Sequence, residues 1–109
     1  MESKNILIVG GGIGGLAAAI AFRNKGFNVD VLERSSDMHA SVFGVGIIQP
    51  FNALRALDQI GCADACLDVG YSTTAWGKML DSEGNEVKQM PGATIPGEKY
   101  PPMNGVTRP

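Results

Sequence analysis

Residues 5–34 read N-I-L-I-V-G-G-G-I-G-G-L-A-A-A-I-A-F-R-N-K-G-F-N-V-D-V-L-E-R. A short apolar run ends in a cluster of glycines, an alanine-rich segment follows, and a second apolar run closes on Glu33. This order is typical of strand, tight turn, helix, turn and strand. It predicts a parallel βαβ unit with strands near residues 5–9 and 28–32 and a helix near residues 14–25.

The glycine cluster contains the pattern G-x-G-x-x-G at Gly10, Gly12 and Gly15. The first glycine lets the chain turn sharply, the second lets a pyrophosphate approach the main chain, and the third lets the helix pack closely on the strands. The N–H groups of the first helical turn, at Ile13 and Gly14, would then point at the phosphates. In the alternative interpretation the glycines serve packing alone.

Two charged residues follow the second predicted strand. Glu33 lies where a carboxylate can accept hydrogen bonds from a ribose hydroxyl, and an acid there disfavours the 2′-phosphate of NADP. Arg34 either contacts the adenine-ribose end of the ligand or is a solvated loop cation. With the glycine pattern, these residues predict a dinucleotide-binding site.

Composition limits the remaining classes of function. The chain has 109 residues, of which 44% are hydrophobic, and a net charge of −2. This charge gives no reason to expect nucleic-acid or anionic-membrane binding, and no apolar run is long enough to span a bilayer. Because no signal peptide is recognisable, a cytoplasmic location is expected.

The cysteines and the single histidine do not form a metal-ligand pattern. Cys62 and Cys66 are spaced C-x-x-x-C, which is not a redox C-x-x-C, and His39 lies far upstream of them. We therefore expect two buried free thiols and no metal site. His39 is expected to be a solvent-exposed loop residue.

The second half of the chain contains further elements. Gly44 and Gly46 interrupt an extended segment and would permit close approach of a bulky group to the backbone. Pro50 and the apolar spacing up to Gly61 predict a helix. Two β-prone runs with a Gly-Asn turn between them, residues 73–80 and 86–90, then predict a hairpin.

One assignment in this part of the chain leaves an alternative open. Trp76 and Met79 could line a pocket, but a sheet core explains them equally well and is the preferred interpretation. Residues 91–104 are rich in Pro and Gly and are expected to form a loop.

Three segments together resemble a known family: G-G-G-I-G-G-L-A-A-A-I-A at residues 10–21, E-R at 33–34, and G-V-G-I-I-Q-P-F-N-A-L-R-A-L at 44–57. They look like the N-terminal part of the FAD-dependent aromatic-ring monooxygenases, the single-component flavoprotein group that includes p-hydroxybenzoate and salicylate hydroxylases. The resemblance implies FAD as cofactor, NAD(P)H as electron donor, and O2 and a small aromatic molecule as substrates.

The family also implies an architecture. Residues 1–70 would form an α/β FAD-binding region, in which a Rossmann-like βαβ unit belongs to a doubly wound parallel sheet. Residues 71–109 would form a β-hairpin and loop that begin the substrate-side sheet. The chain would then correspond to the N-terminal portion of a longer enzyme and would be inactive alone.

Carried over to this chain, the family's residues assign the ADP half of FAD to the glycine pattern, Glu33 and Arg34. Gly44 and Gly46 would lie near the flavin end. Arg108 matches an FAD-binding Arg of the family, with a solvated terminal cation as the alternative. The resemblance names no catalytic residue in this chain.

One departure from the family concerns the segment before the second glycine motif. Many members carry an Arg there, whereas this chain has His39, Ala40 and Ser41.

Two other functions also stay open: part of a different flavoprotein oxidoreductase, and a non-catalytic dinucleotide-binding fragment.

Overall fold

A computed structural model describes residues 4–37 and 46–107. The chain divides into two compact units, residues 1–43 and 44–108. The first contains β1 (Asn5–Val9), α1 (Ile13–Asn24) and β2 (Asn28–Leu32). The second contains β3 (Gly46–Pro50), α2 (Phe51–Gln59), α3 (Ala63–Val69), β4 (Tyr71–Thr73), β5 (Ala75–Leu80), β6 (Glu86–Pro91) and β7 (Met103–Thr107).

The first unit is the predicted βαβ unit. β1 and β2 are parallel, with Asn5 opposite Asn28 and Val9 opposite Leu32. Residues alternate along both strands between half-buried and exposed, which is the period of a sheet with one covered face. α1 packs on this pair, and its only buried residue, Ala19, keeps the contact face small. The chain after α1 reverses at a glycine with φ of +86°, as its sequence position predicts.

The opposite face of the β1–β2 pair exposes apolar side chains. Leu7 is 60% exposed, Val9 83% and Leu32 54%. Both faces of a parallel sheet are normally covered. This face therefore combines three exposed apolar side chains with the polar side chains of Asn5, Asn28 and Asp30.

The second unit is built on a three-stranded antiparallel sheet in the order β3-β7-β4. β7 runs from Met103, opposite Pro50 and Thr73, toward Thr107, opposite Gly46. α2 contacts β3, and α3 contacts β7 and α2. Leu54, Ala63 and Tyr100 form the buried core, against which Phe51, Leu57, Cys66 and Leu67 pack.

A buried polar residue, Asn104, connects four of these elements. Its side-chain Nδ2 donates hydrogen bonds to Gln49 Oε1 at 3.0 Å and to the Cys66 carbonyl oxygen at 2.9 Å. Its Oδ1 accepts one from Ser72 Oγ at 3.3 Å. Asn104 is fully buried, so these bonds replace the hydration lost on folding.

The hairpin is formed by β5 and β6, which pair antiparallel, as predicted. All of its strand residues are exposed. Trp76 is 57% exposed and Met79 is 53% exposed, so the preferred placement of these two side chains in a sheet core is wrong for the described residues.

Other sequence predictions require correction. The predicted loop at residues 91–104 is interrupted, because β7 begins at Met103. α3 is a short helix between the predicted helix that ends at Gly61 and the predicted hairpin. Cys62 and Cys66 are free, as predicted, but only half-buried.

The sheet prediction is confirmed only in its coarse form. The described residues make a mixed α/β fold with one parallel strand pair and two antiparallel sheets. Within the same residues, no helix has the length and apolar character needed to cross a membrane. His39, Gly44 and Arg108 lie outside the described residues.

Candidate dinucleotide-binding site

Gly10 makes the turn from β1 into α1. Its φ is +109°, a backbone conformation that glycine adopts at little cost and other residues rarely adopt. Its N–H donates a hydrogen bond to the Leu32 carbonyl oxygen at 2.7 Å, which continues the β1–β2 pairing past the end of β1. The predicted conformational role of Gly10 is thus confirmed.

Gly15 brings the helix close to the strand that precedes it. A Cβ built at this position would overlap the Gly10 carbonyl oxygen and lie 3.5 Å from Ile8 Cγ2. Only a residue without a side chain fits this contact. The predicted packing role of Gly15 is also confirmed.

Gly12 and Gly14 differ from these two glycines because the fold does not require them. Neither has a positive φ, and a Cβ built at either position would meet nothing within 4 Å. Gly12 is the N-cap residue of α1 and, because glycine has no side chain, it supplies no side-chain cap to the first turn. What glycine provides here is open access to the backbone at the N-terminus of the helix.

The electrostatics of this helix end favour an anion. The first turn of any α-helix has N–H groups without intrahelical acceptors and carries the positive end of the helix dipole. No acidic residue lies in the first turn of α1. The N–H groups of Ile13 and Gly14 are therefore available to an anion such as phosphate. The absence of neighbouring atoms around Gly12 leaves enough space for a pyrophosphate to approach the backbone.

Glu33 is exposed, and its carboxylate is oriented by the backbone around it. Oε2 accepts a hydrogen bond from the Gly11 N–H at 2.7 Å, and Oε1 accepts one from the Ser35 N–H at 2.9 Å. A Cβ at Gly11 would lie 3.1 Å from Glu33 Oε2. Each carboxylate oxygen can accept a further hydrogen bond, so a ribose hydroxyl can still be bound.

Gly11 and Ser35 were not among the residues predicted for the site. The middle glycine of the run G-G-G at residues 10–12 was the available signal, because the pattern G-x-G-x-x-G leaves its second position unspecified. The structure shows that this position connects the glycine turn to the end of β2.

These hydrogen bonds also set the charge of the site. The Ser35 N–H and, next, the Gly11 N–H stabilise the ionised form and hold the pKa of Glu33 below its ordinary value of 4.5. Glu33 is consequently an anion at neutral pH and can only accept hydrogen bonds.

We expect a pH-dependent difference in thermal stability between the wild-type protein and the Glu33→Gln variant. Because folding lowers the pKa of Glu33, its stabilising contribution is present above the ordinary pKa of 4.5 and is lost as the pH falls through the lowered value. Thermal unfolding should show a lower midpoint for the variant at about pH 7, and the difference should shrink as the pH falls below 4.5 and through the lowered pKa of Glu33. Asp30→Asn, at an exposed carboxylate on β2, is the control; an equal response from it would contradict the assignment.

The remaining predicted residues are distributed as follows. Arg34 is exposed beside Glu33 in the first unit. Gly46 begins β3 in the second unit, and a Cβ there would lie 3.2 Å from the Val106 carbonyl oxygen, so glycine relieves crowding against β7. Gly44 and Arg108 lie outside the described residues. The binding roles of all these residues stay predictions.

Comparisons with known proteins agree with this geometry. Residues 8–42 match the family of NAD(P)-binding Rossmann-like domains. Over 105 residues the chain is 39% identical to YetM of Bacillus subtilis (strain 168), a protein provisionally named as an FAD-dependent monooxygenase. That match covers 96% of this chain and 27% of YetM.

Two further proteins extend the comparison. The chain is 48% identical over 61 residues to hispidin-3-hydroxylase of Neonothopanus nambi, which covers 56% of this chain and 14% of the hydroxylase. A crystal structure of a 2-methyl-3-hydroxypyridine-5-carboxylic acid oxygenase variant superposes with a TM-score of 0.76 at 30% identity. It covers 98% of this chain, which corresponds to 26% of the oxygenase.

The first unit therefore has the fold and the glycine turn of a Rossmann-like dinucleotide-binding protein. More particularly, the chain is similar to the N-terminal portion of FAD-dependent monooxygenases, as its sequence predicted. It spans only about a quarter of the length of YetM and less of the hydroxylase.

Proposed function

We propose that this chain is the FAD-binding N-terminal portion of an NAD(P)H-dependent flavin monooxygenase that hydroxylates a small, aromatic molecule. The observation that carries the proposal is the open helix N-terminus at Gly12 and Gly14 in the same unit as the anchored carboxylate of Glu33. These are the two groups that recognise the pyrophosphate and the ribose of an ADP moiety. Relatives named as monooxygenases and hydroxylases support the reaction class.

Different residues of the first unit would bind different parts of the ADP half of FAD. The N–H groups of Ile13 and Gly14 would bind the pyrophosphate, while Gly12 leaves it room to approach. Glu33 would accept hydrogen bonds from the ribose hydroxyls, and Arg34 would contact the adenine-ribose end. Gly10 and Gly15 act through the backbone, because they hold the turn and the helix in place.

The rest of the assignment follows the family resemblance. FAD, when bound, supplies electron transfer from NAD(P)H and the activation of O2. Gly44, Gly46 and Arg108 would lie near the flavin half. β1 and β2 would begin a doubly wound parallel sheet, in which helices on the second face would cover Leu7 and its neighbours. Residues 71–109 would begin the substrate-side region.

Two other functions use the same βαβ unit. A different flavoprotein oxidoreductase, or a non-catalytic dinucleotide-binding fragment, would bind the ADP moiety in the same way. The names of the relatives favour the monooxygenase. In a longer protein that carries this chain, transfer of isotope-labelled oxygen from O2 into the product would separate a monooxygenase from the alternatives.

Binding of FAD is the direct test. We expect the purified chain to bind FAD saturably in a fluorescence titration, with ADP as a competitor. Gly12→Val should weaken binding by more than about 10-fold, a loss of at least about 1.4 kcal/mol. The reason is that its side chain enters open space, where it blocks the pyrophosphate without disturbing the fold.

Arg23→Ala, at the opposite end of α1, is the matched control and should bind FAD as the wild-type chain does. Circular dichroism must show that both variants are folded. Equal FAD affinity for the Gly12→Val variant and the wild-type chain would overturn the proposed site.

A further inference from the structure

We propose that the dipeptide Asn104–Gly105 is a site of spontaneous deamidation, which the folded second unit keeps closed and which opens when that unit unfolds. Asn104 is the only asparagine of the chain that is followed by glycine. An Asn-Gly pair deamidates more readily than other asparagines, because glycine has no side chain to hinder the attacking backbone nitrogen and rotates freely. This chemistry is independent of FAD binding by the first unit.

The reaction uses the chain itself and water. The Gly105 backbone nitrogen loses its proton to hydroxide and attacks the Asn104 side-chain carbon Cγ, so that an N–Cγ bond forms in a succinimide ring. The Cγ–Nδ2 bond breaks, and the nitrogen leaves as ammonia after taking a proton from water. Water then opens the ring at either of its carbonyl carbons, which gives aspartate or isoaspartate at position 104. The net change is hydrolysis of one amide, with no oxidation or reduction.

The backbone conformation of β7 opposes ring closure. β7 is the central strand, and Gly105 pairs with Ile48 of β3 on one side and with Tyr71 of β4 on the other. The succinimide needs a turn of the backbone at Asn104, whereas a strand holds the backbone extended. The Gly105 nitrogen also lies within the hydrogen-bonded ladder of the sheet. Closure of the ring therefore requires β7 to leave at least one of its neighbours.

The side chain of Asn104 is held as firmly as its backbone. Nδ2 donates to Gln49 Oε1 and to the Cys66 carbonyl oxygen, and Oδ1 accepts from Ser72 Oγ. Asn104 is fully buried, and a Cβ built at Gly70 would overlap its amide group. The amide therefore has no space to rotate, and water has no space to reach it. The folded second unit thus keeps the amide carbon from both of its reaction partners.

Packing does not require a glycine at position 105. Gly105 has no positive φ, and the nearest atom to a Cβ built there, the Tyr71 carbonyl oxygen, would be 3.8 Å away, an ordinary van der Waals distance. Gly10 and Gly15 differ, because the fold requires both of them. Alanine at position 105 would fit the sheet, so the reactive pair is a property of this sequence and not a by-product of the fold.

Neither product fits the folded second unit. In aspartate an oxygen replaces Nδ2, and it would face the Cys66 carbonyl oxygen, which has no hydrogen to donate. The Gln49 amide can rotate to donate, but no cation is among the groups bonded to Asn104, and a buried carboxylate without a counter-charge is costly. Isoaspartate adds a carbon to the backbone, which shifts β7 out of register with both neighbours.

Deamidation therefore makes unfolding of the second unit irreversible. A chain that refolds promptly keeps Asn104, whereas a chain that stays open is converted to a form that cannot restore the buried hydrogen bonds. Chemical modification of unfolded chains is a general route to irreversible unfolding. Here the modified side chain connects four elements of the unit, so a single event in an unfolded chain is sufficient.

Mass spectrometry measures deamidation in the full chain, incubated in mildly alkaline buffer with and without guanidinium chloride. Trypsin cleaves after Lys99, so the peptide that begins at Tyr100 contains Asn104 as its only side-chain amide. We expect Asn104 to deamidate in guanidinium chloride and more than about 10-fold more slowly in buffer, where only the open fraction of second units reacts. Asn85, which precedes Glu86, is the internal control and should deamidate more slowly than Asn104 in guanidinium chloride.

Gly105→Ala separates the reactivity of the pair from the stability of the sheet. In guanidinium chloride this variant should deamidate at Asn104 several-fold more slowly than the wild-type chain, because the new methyl group hinders the attacking nitrogen. Without denaturant its unfolding midpoint in urea should be unchanged or higher, since alanine reduces the conformational entropy of the unfolded chain.

Asn104→Asp reproduces the aspartate product directly. The urea midpoint of the second unit should fall, and the amides of β3, β4 and β7 should lose protection from hydrogen exchange. Asn52→Asp is the matched control, because it makes the same change at an exposed position in the first turn of α2. A negative charge favours that end of a helix, so the midpoint of the control should be unchanged or higher.

Three results would overturn the proposed site. Equal rates at Asn104 in buffer and in guanidinium chloride would show that folding does not close it. A rate at Asn104 in guanidinium chloride no higher than the rate at Asn85 would show that the pair is not reactive. Equal urea midpoints for Asn104→Asp and the wild-type chain would show that the sheet tolerates the product and that unfolding stays reversible.

Discussion

Gly15→Ala is expected to destabilise the first unit by about 3 kcal/mol or more and to abolish FAD binding. The added methyl group would overlap the Gly10 carbonyl oxygen, which is backbone and cannot rotate away. α1 would have to move off β1, and the turn at Gly10 would move with it. The small contact face around Ala19 would then be exposed to solvent.

Gly14→Ala is the matched control for this substitution. Gly14 is the neighbouring residue on the same helix, and a Cβ there meets nothing within 4 Å. Alanine stabilises a helix relative to glycine by up to about 1 kcal/mol, so this variant should be as stable as the wild-type chain or more stable. Hydrogen exchange of the β1 and α1 amides measures the effect in the first unit alone. Equal protection in the two variants would contradict the packing argument.

Asn104→Leu is expected to cost the second unit about 3–5 kcal/mol of stability. Leucine has a similar size but leaves the Cys66 carbonyl oxygen, the Gln49 amide and the Ser72 hydroxyl without their partner. Loss of a hydrogen bond costs about 1–3 kcal/mol for each group that stays unsatisfied, which concerns the half-buried Cys66 carbonyl oxygen and Gln49 amide, because Ser72 is exposed and can bond to water. The close approach of Gly70 to the Asn104 side chain leaves little room for relaxation.

Urea unfolding, followed by exchange of the β3, β4 and β7 amides, measures this loss. Asn52→Leu, at an exposed position on α2, is the control and should change stability by less than about 0.5 kcal/mol. A loss below about 1 kcal/mol for Asn104→Leu would mean that water replaces the missing amide and that Asn104 does not hold the four elements together.

The first unit could be predicted from sequence because all local signals agree there. Apolar runs of strand length flank an alanine-rich helix, and Gly10 and Gly15 each satisfy a requirement that only glycine meets. When propensity, turn chemistry and packing point to one structure, a short segment is sufficient.

β7 could not be predicted in this way. Its sequence, M-N-G-V-T, contains an Asn-Gly pair, which locally favours a turn. It forms a strand because β3 and β4 pair with it from both sides and because the Asn104 side chain finds three hydrogen-bond partners. These partners are distant from β7 in the chain, so no local sequence pattern predicts the pairing.

The wrong prediction that Trp76 lies in a sheet core has a different cause. A β-prone run correctly predicted a strand, but it does not tell which face of the strand is covered by another element. Glu33 illustrates the same limit at the candidate site. The pattern predicted the carboxylate, whereas its hydrogen bond to Gly11 depends on how the turn after β1 meets the end of β2.

The order of the strands in the second sheet has a consequence for synthesis on the ribosome. The central strand, β7, follows β3 and β4 in the chain, so neither can pair until Met103–Thr107 has left the exit tunnel. The first unit has both of its strands by Leu32 and can form while translation continues. Sheets closed by distant segments also fold slowly. The nascent second unit therefore passes through a period with unpaired strand edges, which are the surfaces that chaperones recognise.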